Sequence, residues 1–195
     1  MALVTLSELI VSAQGGELVS FPTDTVPALA IRPDRAGVLF EVKERSQHKP
    51  LILMGDCVER FQPYWRGSAV EISIWYKVMQ QHWPGPLTLV LPIEHPHGAI
   101  MNPQNPQNLG FRIPNHPQAL EILRSTGPLA TTSANRSGEA ALTDPDRIAA
   151  AFPQGFVLKE PEPAGSGVAS TVAQWSNHQW NILRSGADPL DLPAA

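Results

Sequence analysis

Small hydroxyl and amide residues gather at the ends of short apolar runs in this chain: Pro22-Thr23-Asp24-Thr25, Thr131-Thr132-Ser133-Ala134-Asn135, and again Ser170-Thr171. Basic residues recur near such runs, with Lys43, Arg45 and Lys49 close together, Arg112 in a second stretch and Arg184 in a third. Hydroxyls and exposed backbone N–H groups donate hydrogen bonds, arginine adds a planar fork, and lysine adds a mobile point charge. The combination suits an anionic, phosphate-bearing ligand held at the ends of parallel strands. Taken singly, each feature also has a plainer account. Thr23, Asp24 and Thr25 can form a turn that bonds its own backbone, and Lys43 and Arg45 can offset a helix dipole in solvent. The Thr131–Asn135 segment can be an ordinary strand-to-loop junction, and Arg112 and Arg184 can be surface ion-pair partners.

The elements that must position these groups alternate along the chain. Helices are expected over Leu6–Gln14, from an Asp34 cap through Val38, Leu39 and Val42, over Ser68–Gln81 with Val70, Ile74 and Val78 on its apolar stripe, and over Pro117–Ser125. A last helix opens at a capping box, Thr143-Asp144-Pro145-Asp146, and runs to about Phe152. Strands are expected at Leu18–Phe21, Leu51–Met54, Leu87–Leu91, Leu109–Ile113, Leu129–Thr132 and Phe156–Leu158. A hairpin pairs Val168–Ala173 with Gln179–Leu183 through Ser176-Asn177-His178. The polar, proline-rich stretch from Pro92 to Gly110 reads as a mobile surface loop, and most of the 20 prolines fall between apolar runs. This is the pattern of an α/β domain with a mixed, twisted sheet.

Composition bounds what such a site can belong to. At 195 residues and 43% apolar, the chain can bury a substantial core as one domain. A net charge of −4 lacks the basic excess of a nucleic-acid binder, so positive charge at a site must be local. The single cysteine, Cys57, excludes an intramolecular disulfide and a cysteine zinc cluster, fits a reducing cytosol, and reads as a small core residue. No basic leader opens the sequence and no stretch nears the ~20 apolar residues of a membrane span. The expectation is a soluble, cytoplasmic protein without membrane association. There is no phosphate-binding loop, no dinucleotide-binding glycine fingerprint and no HExxH metal motif. His95-Pro96-His97 has no third ligand in sight, and no protein-built metal site is assigned. Trp75 and Trp83 read as core packing rather than as platforms for bases.

Six segments occur in the order seen in the YrdC-like family. They are Pro22-Thr23-Asp24-Thr25-Val26, Lys43-Glu44-Arg45 with Pro50-Leu51, Trp83-Pro84-Gly85-Pro86-Leu87-Thr88, Arg112-Ile113-Pro114-Asn115-His116-Pro117, Thr132-Ser133-Ala134-Asn135 and Leu183-Arg184-Ser185-Gly186. From about Leu6 to Ala187 the chain resembles the single-domain threonylcarbamoyl-AMP synthases of that family. The resemblance implies an open twisted mixed sheet with flanking helices and a large concave basic cavity. Residues 1–187 would be the catalytic domain and 188–195 a C-terminal tail. The implied reaction is nucleotidyl transfer: L-threonine, bicarbonate and ATP give L-threonylcarbamoyl-adenylate and diphosphate. The product serves threonylcarbamoyl modification of the adenosine next to the anticodon in tRNA, reached directly or through partner transfer proteins.

By motif position, the resemblance makes Thr25, Arg112, Ser133 and Ser170 threonine contacts. It makes Arg45, Lys49, Asn108, Asn135, Thr143 and Arg184 nucleotide contacts, and Lys43 a neutraliser of phosphate or bicarbonate beside the catalytic Arg45. Mg²⁺ would arrive with ATP, with few or no protein ligands. Two positions depart from the usual pattern. An aromatic and a glycine usually follow Thr25-Val26, and here Pro27-Ala28 stand; a histidine in some relatives is Met54 here. Alternative readings are a non-catalytic RNA-binding module and a paralogue making a different carbamoyl-adenylate.

Overall fold

Thr5 and Ser68 each accept a hydrogen bond from the backbone N–H three residues on, and the Glu8 and Glu71 carboxylates accept one from the Thr5 and Ser68 backbone N–H groups. These two capping boxes start α1 (Leu6–Gln14) and α3 (Ala69–His82) in the computed structural model, which describes residues 1–136 and 138–189. The remaining helices are α2 (Gly37–Val42), α4 (His97–Met101), α5 (Pro117–Thr126) and α6 (Pro145–Ala151). Pro117 sits in the first turn of α5, where its missing N–H costs nothing, and the buried His116 side chain accepts from the Ala119 N–H.

Among the described residues ten strands make one mixed sheet. They are β1 (Ala2–Val4), β2 (Val19–Phe21), β3 (Ala28–Ile31), β4 (Ile52–Met54), β5 (Leu87–Pro92), β6 (Asn108–Arg112), β7 (Leu129–Ser133), β8 (Phe156–Leu158), β9 (Thr171–Ser176) and β10 (Gln179–Arg184). Their order is β1-β8-β2-β3-β7-β4-β6-β5-β9-β10. The β1–β8, β2–β8, β4–β6 and β5–β9 pairs are parallel, and the others are antiparallel. Asn177 and His178 both take positive φ, 52° and 58°, which matches the right-handed twist that a two-residue hairpin turn between β9 and β10 requires.

The two sheet faces are packed by different helices. One carries a large cluster in which Leu29, Ile31, Leu53, Leu89 and Phe111 meet Trp75, Val78 and Met79 of α3. Trp75 is fully buried, and burial of an aromatic this size stabilises by roughly 1.5–3 kcal/mol or more. On the other, Leu9 and Ala13 of α1 and Ala119, Ile122 and Leu123 of α5 pack on Val19, Phe21, Ala28, Ala30 and Met54.

Several expectations are corrected. Val70 is exposed, and the α3 stripe is carried by Trp75, Val78 and Met79. Asp34 pairs with Arg32 at 2.7 Å inside a short 3₁₀ turn, and α2 begins without a side-chain cap. Asp144, not Thr143, caps α6, accepting from the Arg147 N–H at 2.9 Å. Cys57 is half-buried and precedes a 3₁₀ turn. The Pro92–Gly110 stretch holds α4, with Gly98 and Met101 buried, and Asn102 donates from Nδ2 to the Asn108 carbonyl at 2.9 Å. β1 and β3 were not expected. Of the proposed tail, Asp188 is tied to the body, its carboxylate 2.9 Å from His82 Nδ1 and its carbonyl accepting from Thr171 Oγ1. Residues 190–195 of that tail lie outside the described residues.

Candidate active site

Side chains two residues apart on a strand share a face, and on the α1/α5 side of the sheet they floor a cavity of about 670 Å³. Ala28 and Met54 belong both to the helix-packed cluster and to the cavity wall, so the cavity opens where α1 and α5 stop covering the sheet. Its floor runs through Ile52, Gly110, Val90 and Gln174, with Arg112, Thr88 and Val172 one repeat away. The site therefore lies across a sheet face. It was expected at the ends of parallel strands, but β4, β6, β5 and β9 alternate in pairing sense, so no row of parallel strand ends forms there.

Arg112 anchors one end and is 4% exposed. Its Nε donates to the Gly85 carbonyl at 3.2 Å, Nη1 to Thr25 Oγ1 at 2.8 Å and Nη2 to Asp24 Oδ1 at 2.5 Å. Gly85 is required there, since a Cβ would stand 2.4 Å from the His82 carbonyl oxygen. Thr23 realises the turn reading of its motif, its hydroxyl bonding the Val26 carbonyl and the Thr25 N–H, while Thr25 is turned toward Arg112. Burial lowers the Arg112 pKa, Asp24 opposes that, and Arg184 adds to the lowering. Beside them the buried Thr88 and Ser170 hydroxyls lie 2.9 Å apart, and Arg184 donates to the Ser170 carbonyl at 2.7 and 3.1 Å.

A second cluster sits where α2 meets the end of β7. Lys43, 2% exposed, donates from Nζ to Thr132 Oγ1 at 3.2 Å, to Asn135 Oδ1 at 3.0 Å and to the Ser133 carbonyl. Ser133 Oγ donates to the same Asn135 oxygen at 2.6 Å, and Asn135 Nδ2 donates to the Glu139 carbonyl. Burial, then the charges of Arg45 and Lys49, lower the Lys43 pKa from 10.5 to about 7. Arg45 turns its fork onto the Lys49 and Pro50 carbonyls, at 2.9 and 3.1 Å. Its own pKa is lowered first by burial and then by Arg184 across the cavity. Cations that raise one another's energy in this way form a field that a bound anion relieves.

Ten of the eleven candidate side chains line this one cavity: Thr25, Lys43, Arg45, Lys49, Asn108, Arg112, Ser133, Asn135, Ser170 and Arg184. Thr143 does not; it faces a separate cavity of about 170 Å³ shared with Ser20, Pro145 and Ile148. By hydrogen bonding, Ser133 groups with Lys43 and Asn135, away from Thr25 and Arg112. Pro27 and Ala28 line the cavity beside Val26, and the Pro27 carbonyl accepts from the Ala134 N–H, joining the two hydroxyl-rich loops. Three features escaped sequence reasoning: the Thr88–Ser170 pair, Gln174, and the Asn102–Asn108 wall. The available signal was a lone polar residue within an apolar strand, as at Thr88 and Gln174.

Among the described residues no Asp or Glu lines the cavity, and no group of three or more His, Cys, Asp or Glu could hold a metal. A dedicated Mg²⁺ site does not fit these walls, and no step is derived through one.

The Sua5/YciO/YrdC family, described as "Telomere recombination", matches residues 12–186. Threonylcarbamoyl-AMP synthase of Bacillus subtilis (strain 168) is 31% identical over 175 residues, covering 87% of this chain and 50% of that protein. The enzyme of the same name from Yersinia enterocolitica is 33% identical over 138 residues, covering 69% of this chain and 72% of the relative. The chain thus spans about half the length of the Bacillus relative and 66% of the Rattus norvegicus one. Among solved structures, P. abyssi Sua5 complexed with L-threonine superposes with a TM-score of 0.85 at 27% identity, over 96% of this chain and 56% of that one. E. coli YciO superposes at 0.80 over 95% of this chain and 91% of its own, and at 17% identity it speaks for the fold alone. With the family model matched over residues 12–186 and both solved structures superposing over at least 95% of it, the chain belongs to the Sua5/YciO/YrdC family.

Proposed function

We propose that the chain is a nucleotidyltransferase that joins L-threonine, bicarbonate and ATP into L-threonylcarbamoyl-adenylate with release of diphosphate. The observation that carries this reading is the convergence of Lys43, Arg45, Lys49, Arg112 and Arg184, five of fourteen Lys and Arg residues, on one cavity. Its volume of about 670 Å³ lies in the range of ligand sites. The P. abyssi relative was solved with L-threonine, which supports an amino-acid end to the cavity. Here that end is Arg112 with Thr25, Thr88 and Ser170, a guanidinium among hydroxyls suited to a carboxylate and a hydroxyl group. The triphosphate then lies toward Arg45, Lys49, Asn108 and Arg184.

In this arrangement the threonine amine takes up carbon from bicarbonate as a carbamate, with loss of water. A carbamate oxygen attacks the α-phosphorus, and the bond to the diphosphate oxygen breaks. The protein's residues position the two substrates and stabilise charge on the departing diphosphate. Magnesium would arrive with ATP rather than on this chain, since no Asp or Glu among the described residues lines the cavity. The product is then used on tRNA, directly or through partner proteins. No helix among the described residues is long and apolar enough to cross a membrane.

The test is diphosphate release by the purified chain, with threonine and bicarbonate omitted in turn. Release that requires both is expected. Release with another amino acid preferred would replace threonine as substrate, and tRNA binding without any release would favour an RNA-binding module.

Lys43 gives an independent check. With its pKa lowered to about 7 by burial and by Arg45 and Lys49, Lys43 loses charge as pH rises toward 8, and a triphosphate favours the charged form. Binding that raises a pKa takes up protons between the free and bound values, here above about pH 7. Calorimetric ATP titrations at pH 8, in buffers of different ionisation enthalpy, should show net proton uptake, abolished by Lys43→Met. Equal uptake by the two proteins would remove Lys43 from this role.

A further inference from the structure

We propose that Gly110 is the space-determining residue of the reaction, the notch over which the carbamate and the α-phosphorus meet; this rests on the reading above, in which Arg112 holds the amino acid and Asn108 the nucleotide. Asn108, Gly110 and Arg112 alternate on β6 and all line the cavity. Residues two apart on a strand are about 6.7 Å apart, so Gly110 lies midway between the two substrate ends. On the neighbouring strands its register partners are Ile52 and Val90, whose branched side chains stand on either side. Glycine in a central strand weakens that strand, and it marks a place where a ligand approaches the backbone closely.

The geometry also shows that the notch is not demanded by packing. A Cβ at position 110 would meet Thr88 Cγ2 at 3.3 Å, Ile52 Cγ1 at 3.5 Å and Val90 Cγ2 at 3.9 Å, all of them cavity-lining side chains, with no backbone atom closer. The backbone imposes no positive φ there. An alanine would therefore fit the fold, with Thr88 yielding by a few tenths of an ångström, and would fill only the floor of the site.

The expected result for Gly110→Ala is an unchanged or raised melting temperature, because alanine costs less conformational entropy than glycine on folding. Its kcat for threonine-dependent diphosphate release should fall about 10²-fold, the scale of displacing reacting groups by an ångström. Affinities for ATP alone and for threonine alone, measured by calorimetry, should change less than about threefold, and Gly110→Val should lose all measurable turnover. The double variant T88S/G110A removes the methyl that the new Cβ meets while keeping the Thr88 hydroxyl. If the lesion lies in the space above Gly110, the double variant stays as impaired as G110A. Recovery of turnover in the double variant, or wild-type kcat in G110A, overturns the proposal. Failure of the wild-type chain to release diphosphate would instead overturn the reading on which it rests, and this inference with it.

Discussion

Arg112→Ala is expected to raise the threonine KM of diphosphate release steeply and to loosen the fold at the same time. The guanidinium is 4% exposed and donates to Gly85, Thr25 and Asp24. Removing it leaves the Asp24 carboxylate without its cation, and Asp24 Oδ2 is already buried with no protein partner. Breaking a buried pair from one side costs about 3–5 kcal/mol, which chemical denaturation will read directly. Loss of the fork toward the substrate carboxylate costs a further ~2–5 kcal/mol of threonine affinity, roughly 30- to 4,000-fold in KM. Arg112→Lys separates the two effects. It keeps a charge for Asp24 and should recover part of the stability, but a single ammonium cannot bond Gly85, Thr25, Asp24 and a carboxylate together. A folded Arg112→Lys with an ordinary threonine KM would remove Arg112 from substrate recognition and leave it a purely structural residue.

The second large effect is Arg45→Ala, which should lower kcat by about 10²–10³-fold, the scale of losing one donor to transition-state charge. Among the described residues its side-chain partners are the Lys49 and Pro50 carbonyls of its own loop, so the core does not depend on it. Stability should stay within about 0.5 kcal/mol of the parent, as for substitutions away from packed features. Circular dichroism melts beside steady-state diphosphate release give both numbers. Near-normal turnover in a folded Arg45→Ala would place the catalytic charge elsewhere, with Arg184 the next residue to replace.

Much of this was legible in the residues. The apolar spacing within Leu6–Gln14 and Ser68–Gln81 and the turn around Asn177 mark their elements, and the structure places helices and a hairpin there, with the first hairpin strand at Thr171–Ser176 rather than Val168–Ala173. The motifs also named side chains that the fold brings to one cavity. What stayed hidden was long-range. Ala2–Val4 and Ala28–Ile31 are short runs whose strand character comes from pairing with Phe156–Leu158 and with both β2 and β7. No local pattern says that β5 runs parallel to β9 and antiparallel to β6, so the strand-end picture of the site gave way to a sheet face. Thr143 shows the limit of order along a chain. Motif position put it with the nucleotide contacts, but the Asp144 cap begins α6 there and Thr143 faces the smaller cavity instead.

The sheet order has a further consequence for how the protein comes into being. Lys43, Arg45 and Lys49 leave the ribosome before Ser170 and Arg184, which reach the cavity only by laying β9 alongside β5. Until then β5 presents an unpaired edge that invites intermolecular pairing. The β9–β10 hairpin therefore completes the wall of the site in the same step that covers the β5 edge, and leaves β10 as the outer strand of the sheet.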